Sequence, residues 1–164
     1  SACPISVNIS ADHFARSDLV SFVARMLEES GCAPEMIELE LTEGVVVTDV
    51  PRVERTMRAL RDMGIRLSID DFGVLYASLS YLRKLPLNRL KLDRSFLHDL
   101  EDEKTRVVVR AMIDLAHELG LEVTAEGVET EPQAQFLREC GCDRLQGFLF
   151  ERVLPRESAA RWLQ

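Results

Sequence analysis

Six strand-like runs in this chain each set a polar residue between apolar neighbours, close to where the run gives way to a loop or helix. They carry Asn8 in Ser6–Ser10, Glu40 in Ile37–Glu43, Asp70 in Arg66–Asp71, Lys91 in Arg89–Asp93, Glu126 in Glu122–Glu126 and Gln146 in Arg144–Phe148. Side chains alternate faces along a strand, so these residues can share the face opposite their apolar neighbours. A purely structural sheet has no use for three carboxylates, a lysine and two amides on one face. A metal site that handles a phosphate ester has a use for all of them. Asp71 follows Asp70 directly and precedes Phe72-Gly73. Adjacent acids at a strand end can point one carboxylate inward and the next along the rim, and such a pair can bridge two divalent cations ~3.5–4 Å apart.

Each of these residues also has a plainer use. An isolated Asp-Asp is more often a helix cap or a solvated turn. Asn8 could equally cap the turn that follows it, and Lys91 with Asp93 could be a simple ion pair, worth little if exposed. Glu38 shares a face with Glu40 but lies deeper, and reads as structural. The return of Glu40, Asp70 and Glu126 at the ends of separate strands is what calls for a cation.

Helical signals lie between the runs. Leu19, Phe22, Val23, Met26 and Leu27 form an amphipathic stripe that Gly31 closes. Pro51 opens a helix carrying Val53, Met57, Leu60 and Met63, ended by Gly64. A short segment spans Ser78–Leu85, and Thr105–Leu119 carries Val108, Val109, Met112, Ile113 and Ala116. Thr130 caps a helix with Pro132 in its first turn, and Pro155–Leu163 reads as a last one. The apolar stripes are expected to be core faces. Alternating β and α elements imply a parallel sheet, which both an open doubly wound fold and a TIM-type barrel satisfy. The barrel is favoured, because no Gly-x-Gly-x-x-Gly follows the first strand and the candidate residues come from many strand ends. About six of the eight strands of a barrel are present, as though its beginning were absent.

The 164 residues suit one domain, with 46% hydrophobic and 29% charged residues, as in an ordinary globular protein. The net charge of −8 argues against binding a DNA or RNA polymer, which needs a basic surface. A small anionic ligand is compatible with it where metal ions reverse the local charge. No apolar run approaches the ~20 residues of a membrane span, so no membrane contact is expected from this segment. Cys3, Cys32, Cys140 and Cys142 form no Cys-x-x-Cys pair and read as reduced thiols of a cytoplasmic protein. Ser1 is a poor natural start, so upstream segments, including a membrane anchor, remain compatible with this reading.

The ordered motifs resemble the EAL-domain family, bacterial phosphodiesterases that hydrolyse cyclic di-GMP to linear pGpG. The matching stretches are Val7–Ser10, Glu38–Glu43, Ile69–Gly73, Ser78–Leu82, Lys91–Phe96, Ala125–Thr130 and Gln146–Leu149, which together cover most of the chain in order. The resemblance implies two Mg²⁺ or Mn²⁺ ions. Asn8, Glu40 and Asp70 would bind one, and Asp70, Asp71 and Glu126 the other. Lys91 would hold the phosphate or the attacking water, Asp93 would orient that lysine, and Gln146 would contact the ligand or a metal-bound water. Glu126 could also accept the water's proton, though its metal role ranks first. Glu43 and Glu129 would brace the loop after Asp71. It further implies a homodimer in the complete protein and upstream regulatory domains.

The sequence also departs from the family. The glutamate of the Glu-Ala-Leu signature belongs to strands that precede Val7. Leu75 and Ala77 replace a glycine and a serine of the loop after Asp71, and Glu151 and Val153 replace a common serine and proline. Leucine takes glycine's backbone angles only at a cost. These departures support a rival reading, a catalytically impaired EAL-like module that binds cyclic di-GMP or a protein partner. An unrelated metal-dependent barrel enzyme is the third reading.

Overall fold

The structure is a computed structural model that describes residues 4–14, 18–48, 50–73 and 82–150. The last helix expected at Pro155–Leu163, the first half of Ser78–Leu85, and Leu75, Ala77, Glu151 and Val153 lie outside the described residues. The chain forms two compact units, one from Pro4 to Leu90 and one from Lys91 onward.

In the first unit, β1 (Ile5–Ile9), β2 (Ile37–Thr42) and β3 (Arg66–Phe72) run parallel, each beside the next. Strand β4 (Arg89–Leu92) begins in this unit, with the Asn88 N–H donating to the Leu67 carbonyl at 2.9 Å. The connections are helical: α1 (Ala11–Phe14), α2 (Leu19–Ser30), α3 (Glu43–Thr48) and α4 (Val50–Asp62). Gly31 stops α2 in the left-handed conformation, as its position predicts. Val53, Met57 and Leu60 of α4 are buried, as are Leu67 and Ile69 of β3. Each such side chain contributes about 1.5–3 kcal/mol through burial. Strand β2 is buried on both faces, so Glu38 and Glu40 are covered along with Leu39 and Leu41.

The second unit carries the end of β4, then β5 (Glu122–Ala125) and β6 (Arg144–Leu145), with β5 and β6 parallel. Its helices are α5 (Ser95–His98), α6 (Glu103–Glu118) and α7 (Glu131–Glu139). Asp102 caps α6, accepting the Thr105 N–H, so this helix begins two residues before its expected start. Thr130 caps α7, as the sequence predicts, and the cap is a reciprocal capping box with Gln133. Within each unit the strands follow chain order without reversal. An open doubly wound sheet reverses its order at a switch point. The unreversed winding is that of a TIM-type barrel, and six strands are present.

Two expectations need correction. The run Arg144–Phe148 is a strand only at Arg144–Leu145, because the chain turns where the Phe150 N–H donates to the Gly147 carbonyl. Not every apolar stripe is a core face. Phe22 and Met26 of α2 are 47% and 38% exposed, and Ile5 and Val7 of β1 are 57% and 43% exposed. Among the described residues β1 pairs with β2 on one side only, so its other edge offers unpaired backbone groups. Such an edge recruits other chains, and lysine on it opposes pairing. The 164-residue chain should therefore self-associate with rising concentration, and Val7→Lys should lower the apparent mass in light scattering.

At the far end of the second unit, Asp143 ties α6 to β5. It bonds to His117 Nε2 at 2.9 Å and accepts the Val123 N–H at 2.7 Å. Burial pushes the Asp143 carboxyl up, but the Val123 N–H and His117 outweigh it and hold it below its ordinary value. A depressed acid stabilises the fold above the unfolded pKa, and that stability is lost as pH falls through the folded value. Asp143→Asn should thus lower the melting temperature at neutral pH. It should also weaken the loss of stability seen between pH ~4 and more acidic solution.

Candidate metal centre

The parallel register of the first unit builds a row of polar side chains. Asn8 lies opposite Glu40, and Glu40 opposite Ser68, on three neighbouring strands about 4.8 Å apart. One step toward the strand ends, Thr42 lies opposite Asp70. Glu40 is buried, Asp70 half-buried and Asn8 exposed. One step below Glu40, the Glu38 carboxylate is 1% exposed, and Arg89 Nη1 stands 2.7 Å from both of its oxygens. Arg66 Nε lies 3.5 Å from the same group. Glu38 is thus fully engaged by guanidinium groups.

Asp71 has φ 54°, the one non-glycine residue with positive φ among the described residues. Its N–H donates to Asp70 Oδ1 at 3.0 Å. Such a backbone costs of order 1–3 kcal/mol, and aspartate tolerates it better than most residues. The turn leaves the Asp71 carboxylate exposed while that of Asp70 stays half-buried. The expected split between an inner and a rim acid is present, and the strained backbone that makes it was not foreseen. Its only sequence signal is the tolerance of aspartate for this region.

In the second unit Lys91 is 6% exposed, and its ammonium pairs with Glu126 Oε1. The expected partner was Asp93. Instead, Asp93 Oδ1 accepts the Ser95 N–H at 2.9 Å, because α5 starts there with backbone donors that need an acceptor. Burial pushes the Asp93 carboxyl up, but hydrogen bonds from Ser95 and Arg94 and the Arg94 charge hold it below its usual range. Glu126 is anchored through its N–H, which donates to the Leu92 carbonyl. Gln146 lies just past β6 with an exposed side chain. Its N–H donates to the Ala125 carbonyl, and its own carbonyl accepts the Val128 N–H.

Glu43 is buried at the first residue of α3. Glu129 is exposed, and its N–H donates to Gln133 Oε1. The loop they were expected to brace, residues 74–81, lies outside the described residues. Two buried hydroxyls were missed altogether. Ser68 Oγ and Thr124 Oγ1 have no hydrogen-bond partner among the described residues. Leaving such a group unpaired costs about 1–3 kcal/mol.

The donors available at the strand ends are carboxylate and amide oxygens, which fit a hard divalent cation. Among the described residues Cys32, Cys140 and Cys142 are free thiols. Burial pushes the Cys142 thiol up to about 11.

The EAL domain model matches residues 1–153. The chain belongs to the EAL domain family. It is 42% identical over 161 residues to the cyclic di-GMP phosphodiesterase NbdA of Pseudomonas aeruginosa, covering 98% of this chain and 21% of that protein. Among solved structures, the PaMucR phosphodiesterase in complex with c-di-GMP superposes with a TM-score of 0.91 at 41% identity, covering 95% of this chain and 64% of that one. The Klebsiella pneumoniae BlrP1 manganese/cy-diGMP complex gives a TM-score of 0.84 at 30% identity, covering 93% and 39%. The chain spans about a fifth of the length of the curated relatives it matches.

In this EAL domain the segment after β6 is knitted to the one after β5. Gly147 makes this possible, since a Cβ there would stand 2.2 Å from the Val128 carbonyl oxygen. Gly147→Ala must therefore push the Gln146–Leu149 segment off the Glu126–Val128 segment. We expect a lowered melting temperature, together with faster hydrogen exchange at the Val128 and Leu149 amides.

Proposed function

We propose that this EAL domain hydrolyses cyclic di-GMP to linear pGpG with the help of two Mg²⁺ or Mn²⁺ ions. The observation that carries the proposal is the registered row of Asn8 and Glu40, with Asp70 and Asp71 at the end of the adjoining strand. Family membership and the phosphodiesterase relatives support the same substrate.

Asn8, Glu40 and Asp70 would hold one ion through oxygen atoms. Asp70, Asp71 and Glu126 would hold the second. The ions would make a bound water acidic and offset charge on the phosphate. The ammonium of Lys91 would donate to a phosphate oxygen, giving up its pairing with Glu126 as that carboxylate turns to a cation. Gln146 would contact the nucleotide, and Asp93, by fixing the turn after β4, would hold the end of the strand that carries Lys91. Glu43 and Glu129 would brace the loop after Asp71. The proposal extends to a cytoplasmic homodimer with regulatory domains elsewhere in the protein, in keeping with the greater length of the relatives.

A second reading, a binding module without turnover, draws on Leu75 and Ala77, which stand where family members carry glycine and serine. The two readings separate in one experiment on the full-length protein. Chromatography of the products should show pGpG formation. Asp70→Asn should abolish it while far-UV circular dichroism stays native. Asp71→Asn should lose one bound Mn²⁺ and several orders of magnitude in rate. Turnover unchanged in either variant would overturn the two-ion assignment. Tight nucleotide binding with no pGpG from the native protein would favour the binding module.

A further inference from the structure

The two partnerless hydroxyls occupy equivalent places. Ser68 is fully buried in β3, two residues before Asp70, and Thr124 is 5% exposed in β5, two residues before Glu126. The two-residue period of a strand sets Ser68 directly beneath Asp70 on the same face, and Thr124 stands two residues before Glu126, the first residue past β5. Ser68 is also level with Glu40 across the β2–β3 register. The face of β3 thus reads Arg66, Ser68, Asp70, a polar column in which the hydroxyl of the middle member has no partner among the described residues.

A buried hydroxyl with no protein partner is rare, and the usual partner is an ordered water. Such a water needs two to four polar neighbours. For Ser68 they are at hand in Glu40 beside it and Asp70 above it, and for Thr124 in Glu126 above it. A packing role alone would be served as well by alanine or valine, with no polar atom to desolvate.

We infer that Ser68 and Thr124 are positioning residues that each hold a buried water against the acid above it. The hydroxyl bonds the water, and the water donates to a carboxylate oxygen, fixing how the acid presents its other oxygen to a divalent cation. The inference rests on the metal reading proposed above. Groups that orient a metal ligand in this way typically change metal affinity 10–100-fold when removed.

The test is calorimetric titration of the metal-free, full-length protein with Mn²⁺, alongside thermal melting in a chelator. Ser68→Ala and Thr124→Val should each weaken Mn²⁺ binding by about tenfold or more. Thr124→Ser, which keeps the hydroxyl, should bind as the native protein does. The metal-free melting temperature should not fall in any of the three. A crystal structure should show a water within about 3 Å of Ser68 Oγ. Glu40→Gln separates the two levels of the argument. If it loses Mn²⁺ while Ser68→Ala and Thr124→Val bind normally, the positioning role is overturned and the metal reading stands. If Glu40→Gln also binds normally, both fall. A lowered metal-free melting temperature in Ser68→Ala and Thr124→Val, with unchanged Mn²⁺ affinity, would make the hydroxyls part of the fold and overturn the inference.

Discussion

Glu38 is a carboxylate in β2 with almost no solvent, and the first unit is arranged around that charge. Arg89 of β4 meets both of its oxygens, and Arg66 of the intervening β3 stands close by. Removing one partner of such a pair costs about 3–5 kcal/mol, because the remaining charge is left buried and alone. The interaction therefore fixes β2, β3 and β4 at one level. Everything on that face above it in the first unit follows from the two-residue period of the strands: Glu40 is one step above Glu38, and Ser68 and Asp70 are above Arg66. An internal ion pair sets the height at which the chemistry-bearing residues emerge.

The second unit has an ion pair of its own. Lys91 and Glu126 meet there at 7% and 21% side-chain exposure. Lys91 is as buried as Arg89, and Glu126 is the more exposed member of its pair. In the first unit, Asp71 divides the two acids at the end of β3. Its left-handed backbone turns the second acid out to solvent and leaves Asp70 facing in.

Backbone bonds complete the second unit. The Gln146 N–H reaches the Ala125 carbonyl, the Val128 N–H reaches the Gln146 carbonyl, and the Leu149 N–H returns to Val128. These bonds continue the pairing of β5 and β6 after both strands have ended. Glu126 and Gln146 are thereby held through the main chain, and the Glu126 side chain is held by Lys91 as well. Rigid elements under a functional site hold its groups more precisely than free loops do.

Much of this was legible in the sequence because it is local. The βα rhythm, the stop at Gly31, the cap at Thr130, and the alternation that puts Glu40 and Asp70 among apolar neighbours all depend on residues a few positions apart. The ordered motifs carried the family. What the sequence did not reveal depends on distant residues. Lys91 chooses Glu126, thirty-five positions on, because Asp93 is claimed by the local donor of Ser95. Ser68 acquires its meaning from its register with Glu40 and its total burial, neither of which a serine between two apolar residues can announce. Phe22 and Val7 look like core residues and are exposed, since exposure is set by what packs against a face and not by the face itself. Sequence by itself determined which residues could do chemistry and on which face of each strand. Only the tertiary structure decided their partners, because pairing and burial arise between elements that the chain brings together after many intervening residues.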